Sequence, residues 1–145
     1  MVIKKNIMLI NFCIVLISFL LTLKFAFAEI VNVNNEQIKE LSKNNIPIVD
    51  IRRSAEWDQT GVVPKSILLT FFDKEGNYNY DEWYEKLRLE IGEGKPIILI
   101  CRTGRRTKII AKMMEIKNFD NVIYNAKSGI TSWIDEKLIT VKPKY

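Results

Sequence analysis

The chain has 145 residues, with 22 lysines and arginines against 17 acids and no histidine. The missing histidine excludes Cys–His and Ser–His catalysis and histidine-ligated metal sites. The formal charge of +5 suggests a polyanionic partner, but Lys4, Lys5 and Lys24 lie in an acid-free leader, and setting aside these three of the 22 leaves 19 basic residues against 17 acids, a net of +2. No basic patch with interleaved aromatics remains to support nucleic-acid binding.

Residues 1–28 read as a signal peptide. Lys4 and Lys5 form a basic start, Ile7 to Leu23 is apolar apart from Asn11, Ser18 and Thr22, and Ala26-Phe27-Ala28 offers the small residues of a cleavage site before Glu29. An apolar stretch of this length also suits an uncleaved membrane anchor, since spanning takes roughly 20 residues, and Lys24 lies close to the cleavage position. Cys13 follows Ile10-Asn11-Phe12, a poor lipoprotein signal because small residues precede a lipidated cysteine. The expected location is the bacterial periplasm, free or N-terminally anchored. Residues 29–145 suit one domain around a single core.

Hydrophobic periodicity then predicts the elements in order. Glu29–Val33 is a strand. Asn34 caps a helix through Ser42, with Gln37 at capping-box spacing and Ile38 and Leu41 on its apolar face. Ile46–Ile51 is a buried strand, Ser54–Gln59 a helical turn, Gly61–Pro64 a bend and Ser66–Phe71 a strand. Asp73–Asn79 is a loop. Asp81–Ile91 is a helix with Trp83, Tyr84, Leu87 and Ile91 on one face. The apolar run Ile97–Ile100 is a buried strand, and a helix over Thr107–Lys117 turns Ile109, Ile110, Met113 and Met114 inward. Asn121–Tyr124 is a strand and Ile130–Lys137 a final helix. Strands alternating with helices predict an α/β domain with a mainly parallel sheet of about five strands flanked by helices.

Between the fourth strand and its helix stands Cys101-Arg102-Thr103-Gly104-Arg105-Arg106-Thr107. Helix-start amides and three arginines attract anions, and that field favours thiolate over thiol. Ligands bind beyond the carboxyl ends of strands in such sheets, where this loop falls. Beyond the leader Cys101 is the one cysteine, so no internal disulfide forms there. A strand-end cysteine can also be a small buried hydrophobe, but the adjacent cations favour a reactive group. Asp50, Arg52 and Glu56 read as a structural ion-pair network rather than catalytic groups. Trp57, Trp83 and Trp133 read as packing residues and Asp73 as a loop acid.

Four segments in this order resemble the rhodanese-like family. These are Val49-Asp50-Ile51-Arg52 with Glu56-Trp57, the turn Gly61-Val62-Val63-Pro64, the Cys101–Thr107 loop, and Gly129-Ile130-Thr131-Ser132-Trp133. The resemblance spans residues 30–140 and implies a rhodanese-like α/β fold. It departs at Val62, where histidine is usual, at Lys65 and Ser66, where Gly-Ala is common, and at Ser128, which replaces a glycine. Residues 71–95 run longer than in a minimal member.

The resemblance implies a sulfurtransferase. Cys101 would take sulfane sulfur from a small anionic donor such as thiosulfate and pass it, as a persulfide, to a small thiol, cyanide or a protein. It implies donor binding by Arg102, Thr103, Gly104, Arg105, Arg106 and Thr107, with no cofactor and no metal. Gly104 is expected to take a positive φ, Arg102 to face the pocket entrance, Arg106 to pair with an acid behind the loop, Arg105 to face solvent and Thr107 to cap the helix. The rival readings are a persulfide carrier or thiol-bearing binding module for a protein partner, a cysteine phosphatase and an arsenate reductase. A phosphatase wants Cys-x5-Arg, and Arg106 stands one position early; an arsenate reductase wants a second, resolving cysteine.

Overall fold

The computed structural model describes residues 28–117 and 119–145, so the leader assigned to residues 1–28 lies outside the described residues except for Ala28. Five strands form one sheet: β1 (Glu29–Val33), β2 (Ile48–Asp50), β3 (Ile67–Leu68), β4 (Ile97–Ile100) and β5 (Val122–Ala126). Their order is β1-β5-β4-β2-β3, and every neighbouring pair is parallel. The helices are α1 (Asn35–Lys43), α2 (Ser54–Thr60), α3 (Tyr80–Ile91), α4 (Arg105–Ile116) and α5 (Gly129–Asp135). Among the described residues no helix is long and apolar enough to cross a membrane.

The sheet is covered on both faces, which is why its central strand reads as a continuous apolar run. On one side Val49, Ile97, Leu99 and Ile123 pack with Trp83 and Leu87 of α3 and with Ile110 and Met114 of α4. On the other, Ile48, Ile98, Ile100 and Ala126 pack with Ile38 of α1 and with Ile130 and Trp133 of α5. Ile97 to Ile100 are wholly buried, so β4 is a rigid base for the loop that follows it.

Local signals place several boundaries. Asn34 accepts from the Gln37 amide while the Gln37 side chain accepts from the Asn34 amide, both at 3.0 Å, closing the expected capping box. Asn79 caps α3 by accepting from the Glu82 amide. The strand expected over Ser66–Phe71 pairs as a ladder only at Ile67–Leu68, because the chain it follows turns at Arg52, whose amide and guanidinium both bond back to Asp50. Leu69 and Phe71 still donate to the carbonyls of Asp50 and Ile51, and Thr70 donates to the Arg52 carbonyl. Ser128, expected as a departure, has φ −109°, a conformation that does not need glycine.

Two expectations about α4 are corrected. The helix starts at Arg105, two residues earlier than the periodicity suggests, because Gly104 at φ 82° turns the chain directly into it. Ile109 does not face inward but is half exposed, while Ile110, Ala111 and Met114 make the buried stripe. Residues 71–95, for which the sequence offers no role, supply α3 and an aromatic cluster in which Phe71 meets Tyr78 and Trp83 at 5.1 and 5.0 Å between ring centres. The Asp73 carboxylate accepts from the amide and side chain of Asn77, which makes it a turn residue.

Candidate active site

Cys101 is the first residue after β4, with 1% of its surface exposed. The Gly104 amide donates to Sγ at 3.2 Å. The amides of Arg105, Arg106 and Thr107 open α4 and have no carbonyl one turn behind them, so their partial positive charge converges on the same loop. No acid lies in the first turn of α4 to offset it.

Two glycines set the loop. An added Cβ at Gly104 would overlap the Lys127 carbonyl, and one at Gly129 would overlap the backbone of Arg102 and the Cys101 carbonyl; both residues have positive φ. The loop is clamped from behind by α5, whose Ile130 and Thr131 amides donate to the carbonyls of Cys101 and Arg102 at 2.8 and 3.1 Å. Gly129→Ala is therefore expected to push the loop off α5, cost about 2–3 kcal/mol of stability and weaken whatever chemistry Cys101 performs. Chemical denaturation of the variant beside the wild type measures this, and a loss under about 0.5 kcal/mol would contradict the packing described.

The three arginines of the loop differ in fate. Arg106 is half-buried and donates to both oxygens of Glu56 at 2.9 and 2.6 Å, which is the expected pairing with an acid behind the loop. Glu56 thus belongs to the loop's support rather than to a network with the side chains of Asp50 and Arg52; Arg52 reaches only its backbone carbonyl. Arg102 and Arg105 are exposed, as is Thr103. Arg102 lines a cleft of about 150 Å³ together with Glu56, Thr131 and Asp135.

Burial tends to raise the Glu56 pKa, but hydrogen bonds from Arg106 and Arg53 outweigh it and hold it down from 4.5 to about 2. Arg106 is pushed up in return, chiefly by its hydrogen bond to Glu56, and the Cys101 sulfur adds to the same direction. A folded pKa below the ordinary one stabilises the fold above pH 4.5 and ceases to do so as pH falls toward 2. Glu56→Gln is expected to cost about 1–2 kcal/mol near neutrality and to flatten the loss of stability in that acid window. Denaturation midpoints measured across the window check both signs.

Asp50 and Arg52 sit beside this site at the carboxyl end of β2, both essentially inaccessible. Arg52 donates to both Asp50 oxygens, the Thr60 hydroxyl and the carbonyls of Gly61 and Glu56. Every guanidinium nitrogen is used, so this pair fixes α2 against the sheet, and Arg52 forms part of the wall of the cleft that Arg102 lines.

Thr107 corrects the sequence reading. It is the third residue of α4 rather than its cap, fully buried, with its hydroxyl 3.6 Å from Sγ. That hydroxyl donates to Asn125 at 2.6 Å and lies 3.0 Å from the Gly104 carbonyl. Asn125 was missed because the strand expected to end at Tyr124 runs on to Ala126. The available signal was an asparagine, a poor strand former, held between Tyr124 and Ala126.

Fold and loop together define the class: a parallel α/β domain that buries a thiol where its central strand meets the start of a helix. Within that class the chain belongs to the rhodanese-like domain family, whose model matches residues 34–136. It is 30% identical over 92 residues to the rhodanese domain-containing protein CG4456 of Drosophila melanogaster, covering 61% of this chain and 83% of that one. The polysulfide-sulfur transferase of Wolinella succinogenes, a homodimer in solution, superposes with a TM-score of 0.59 at 19% identity, covering 88% of this chain and 90% of that one. A Rhodopseudomonas palustris protein of unknown function, a possible tyrosine phosphatase, superposes at 0.56 with 21% identity, covering 77% and 85%. At those identities the two structures show a shared fold.

Proposed function

We propose that the protein is a sulfurtransferase carrying sulfane sulfur on Cys101. The Cys101 thiolate attacks the outer sulfur of an anionic donor such as thiosulfate. The new S–S bond forms as the donor's own S–S bond breaks, and sulfite leaves with the electron pair. The persulfide's terminal sulfur is then attacked by an acceptor, a small thiol, cyanide or a protein nucleophile, which takes the sulfur and returns the thiolate. No proton is transferred in the first step, so the missing histidine is no obstacle. The Gly104 amide and the opening amides of α4 suit both the thiolate and the anionic persulfide. Exposed Arg102 and Arg105 suit attraction of the donor's oxygens.

The observation that carries this reading over a phosphatase is what fills the back of the loop. Position 107, where Cys-x5-Arg chemistry needs a guanidinium, is a buried threonine against Sγ, and Arg106 is held at both ends of its fork by Glu56. A loop so furnished suits one sulfur atom better than a tetrahedral phosphoryl group. The purified protein is expected to form thiocyanate from thiosulfate and cyanide and to leave an aryl phosphate intact. Phosphate release without thiocyanate would refute the assignment. On the leader's composition, we place this activity in the periplasm, with the domain either free or tethered by residues 1–28.

A further inference from the structure

Behind Cys101 lies a chain of uncharged polar groups that the sulfur chemistry above does not use. The Asn125 side-chain nitrogen donates to the Asn32 side-chain oxygen at 2.8 Å across the β1–β5 ladder, where the two residues are register partners. That bond fixes the amide so that its oxygen faces Thr107. The oxygen carries no hydrogen, so at 2.6 Å the Thr107 hydroxyl is the donor. A hydroxyl has one proton. With that proton on Asn125, Thr107 turns lone pairs toward Sγ, 3.6 Å away. Asn125 and Thr107 are 2% and 0% exposed, so bulk solvent reaches neither group.

We infer that Asn125 is a positioning residue that aims the Thr107 hydroxyl as an acceptor toward Cys101, and thereby restrains the thiolate character of the resting site. The thiol form gains an acceptor for its S–H from this arrangement. The thiolate and the persulfide gain nothing from it, since their donor is the Gly104 amide. The device tempers the loop's positive field. It leaves the sulfur anionic enough to attack a donor while keeping it basic enough to be nucleophilic, because thiolate nucleophilicity falls as the thiolate is stabilised.

The charged groups around Cys101 belong to other elements. Arg106 of α4 is paired with Glu56 of α2 and also faces the sulfur, the Asp50–Arg52 pair after β2 is closed on itself, and Arg102 and Arg105 are exposed. Lys127, after β5, meets the loop through its carbonyl. None of these is bonded to Asn125, so a change there reaches Sγ through Thr107.

The test is the pH profile of Cys101 alkylation by iodoacetamide in the purified full-length chain. Asn125→Val removes the acceptor at 2.6 Å and leaves the Thr107 proton to the Gly104 carbonyl at 3.0 Å or to sulfur at 3.6 Å, toward which the ionised sulfur draws it. The profile is expected to move to lower pH, with alkylation below the wild-type midpoint about tenfold faster, on the scale of one hydrogen bond to a charged group. Asn125→Asp keeps the acceptor and adds negative charge, so its profile is expected to move the other way. Thr107→Val is expected to make the profile insensitive to Asn125→Val, while the direct charge effect of Asn125→Asp remains. General loosening of the loop would shift both Asn125 variants alike, and that result, or an unshifted Asn125→Val profile, would overturn the proposal. The proposal takes Cys101 as the reacting group of the sulfur chemistry, but alkylation reads the thiol alone. Opposite shifts in a protein that forms no thiocyanate would therefore refute the sulfurtransferase and not the role of Asn125.

Discussion

Cys101→Ser is expected to abolish sulfur transfer, with turnover lowered by at least about 10³-fold. Serine is only slightly smaller than cysteine and still offers the Gly104 amide an acceptor, but its hydroxyl is un-ionised near neutrality and cannot hold a sulfane sulfur. The fold is expected to survive, because the site is buried and the change removes no packing group, so stability should stay within about 1 kcal/mol. That combination separates loss of the reacting atom from loss of the structure. Among the described residues Cys101 is the free cysteine, so residual activity in a folded serine variant would mean that sulfur is not carried where we place it.

The largest effect on stability is expected at Asp50. Its carboxylate meets the Arg52 guanidinium with neither side chain more than 1% exposed. Asp50→Ala leaves a charged guanidinium in the interior without its counter-ion, at an expected cost of about 3–5 kcal/mol. Set against a total of about 5–15 kcal/mol for an ordinary domain, this brings the fold close to its limit. Removing both charges is a different experiment. Asp50→Leu with Arg52→Met takes away the uncompensated ion and is expected to recover most of the loss, to within about 1–2 kcal/mol of the wild type. Urea denaturation of the single and double variants measures both, and a mild Asp50→Ala would contradict the closed pair. Sulfur transfer in the double variant is expected to persist, since Arg52 contributes only to the cleft wall and its hydrogen bonds go to Asp50, α2 and Gly61 rather than to the cysteine loop.

Most of this architecture was legible because its signals are local. Asn34 with Gln37, Asn79 with Glu82 and the apolar run Ile97–Ile100 each declare an element through nearest neighbours. The loop at Cys101 was legible for the same reason: thiol, glycine and arginines are consecutive, and the strand before them is unmistakable. The errors fall where a distant group decides. Gly104 starts α4 early because it must pass under the carbonyl of Lys127, a contact between residues far apart in sequence. Ile109 faces out because α4 meets the sheet along Ile110 and Met114, a choice that an apolar quartet cannot settle by itself. Glu56 could be grouped with Arg52 on proximity in the chain, yet its carboxylate goes to Arg106, fifty positions on. Asn125 and Thr107 meet only because β5 runs beside β4 and carries its side chains beneath the loop.

The central claim is that Cys101 carries sulfur, and the intact mass of the protein after treatment with thiosulfate tests it most directly. The predicted result is a gain of one sulfur atom, removed by a reductant and absent from Cys101→Ser. An unchanged mass in folded wild-type protein, under conditions where Cys101 is open to alkylation, would contradict it.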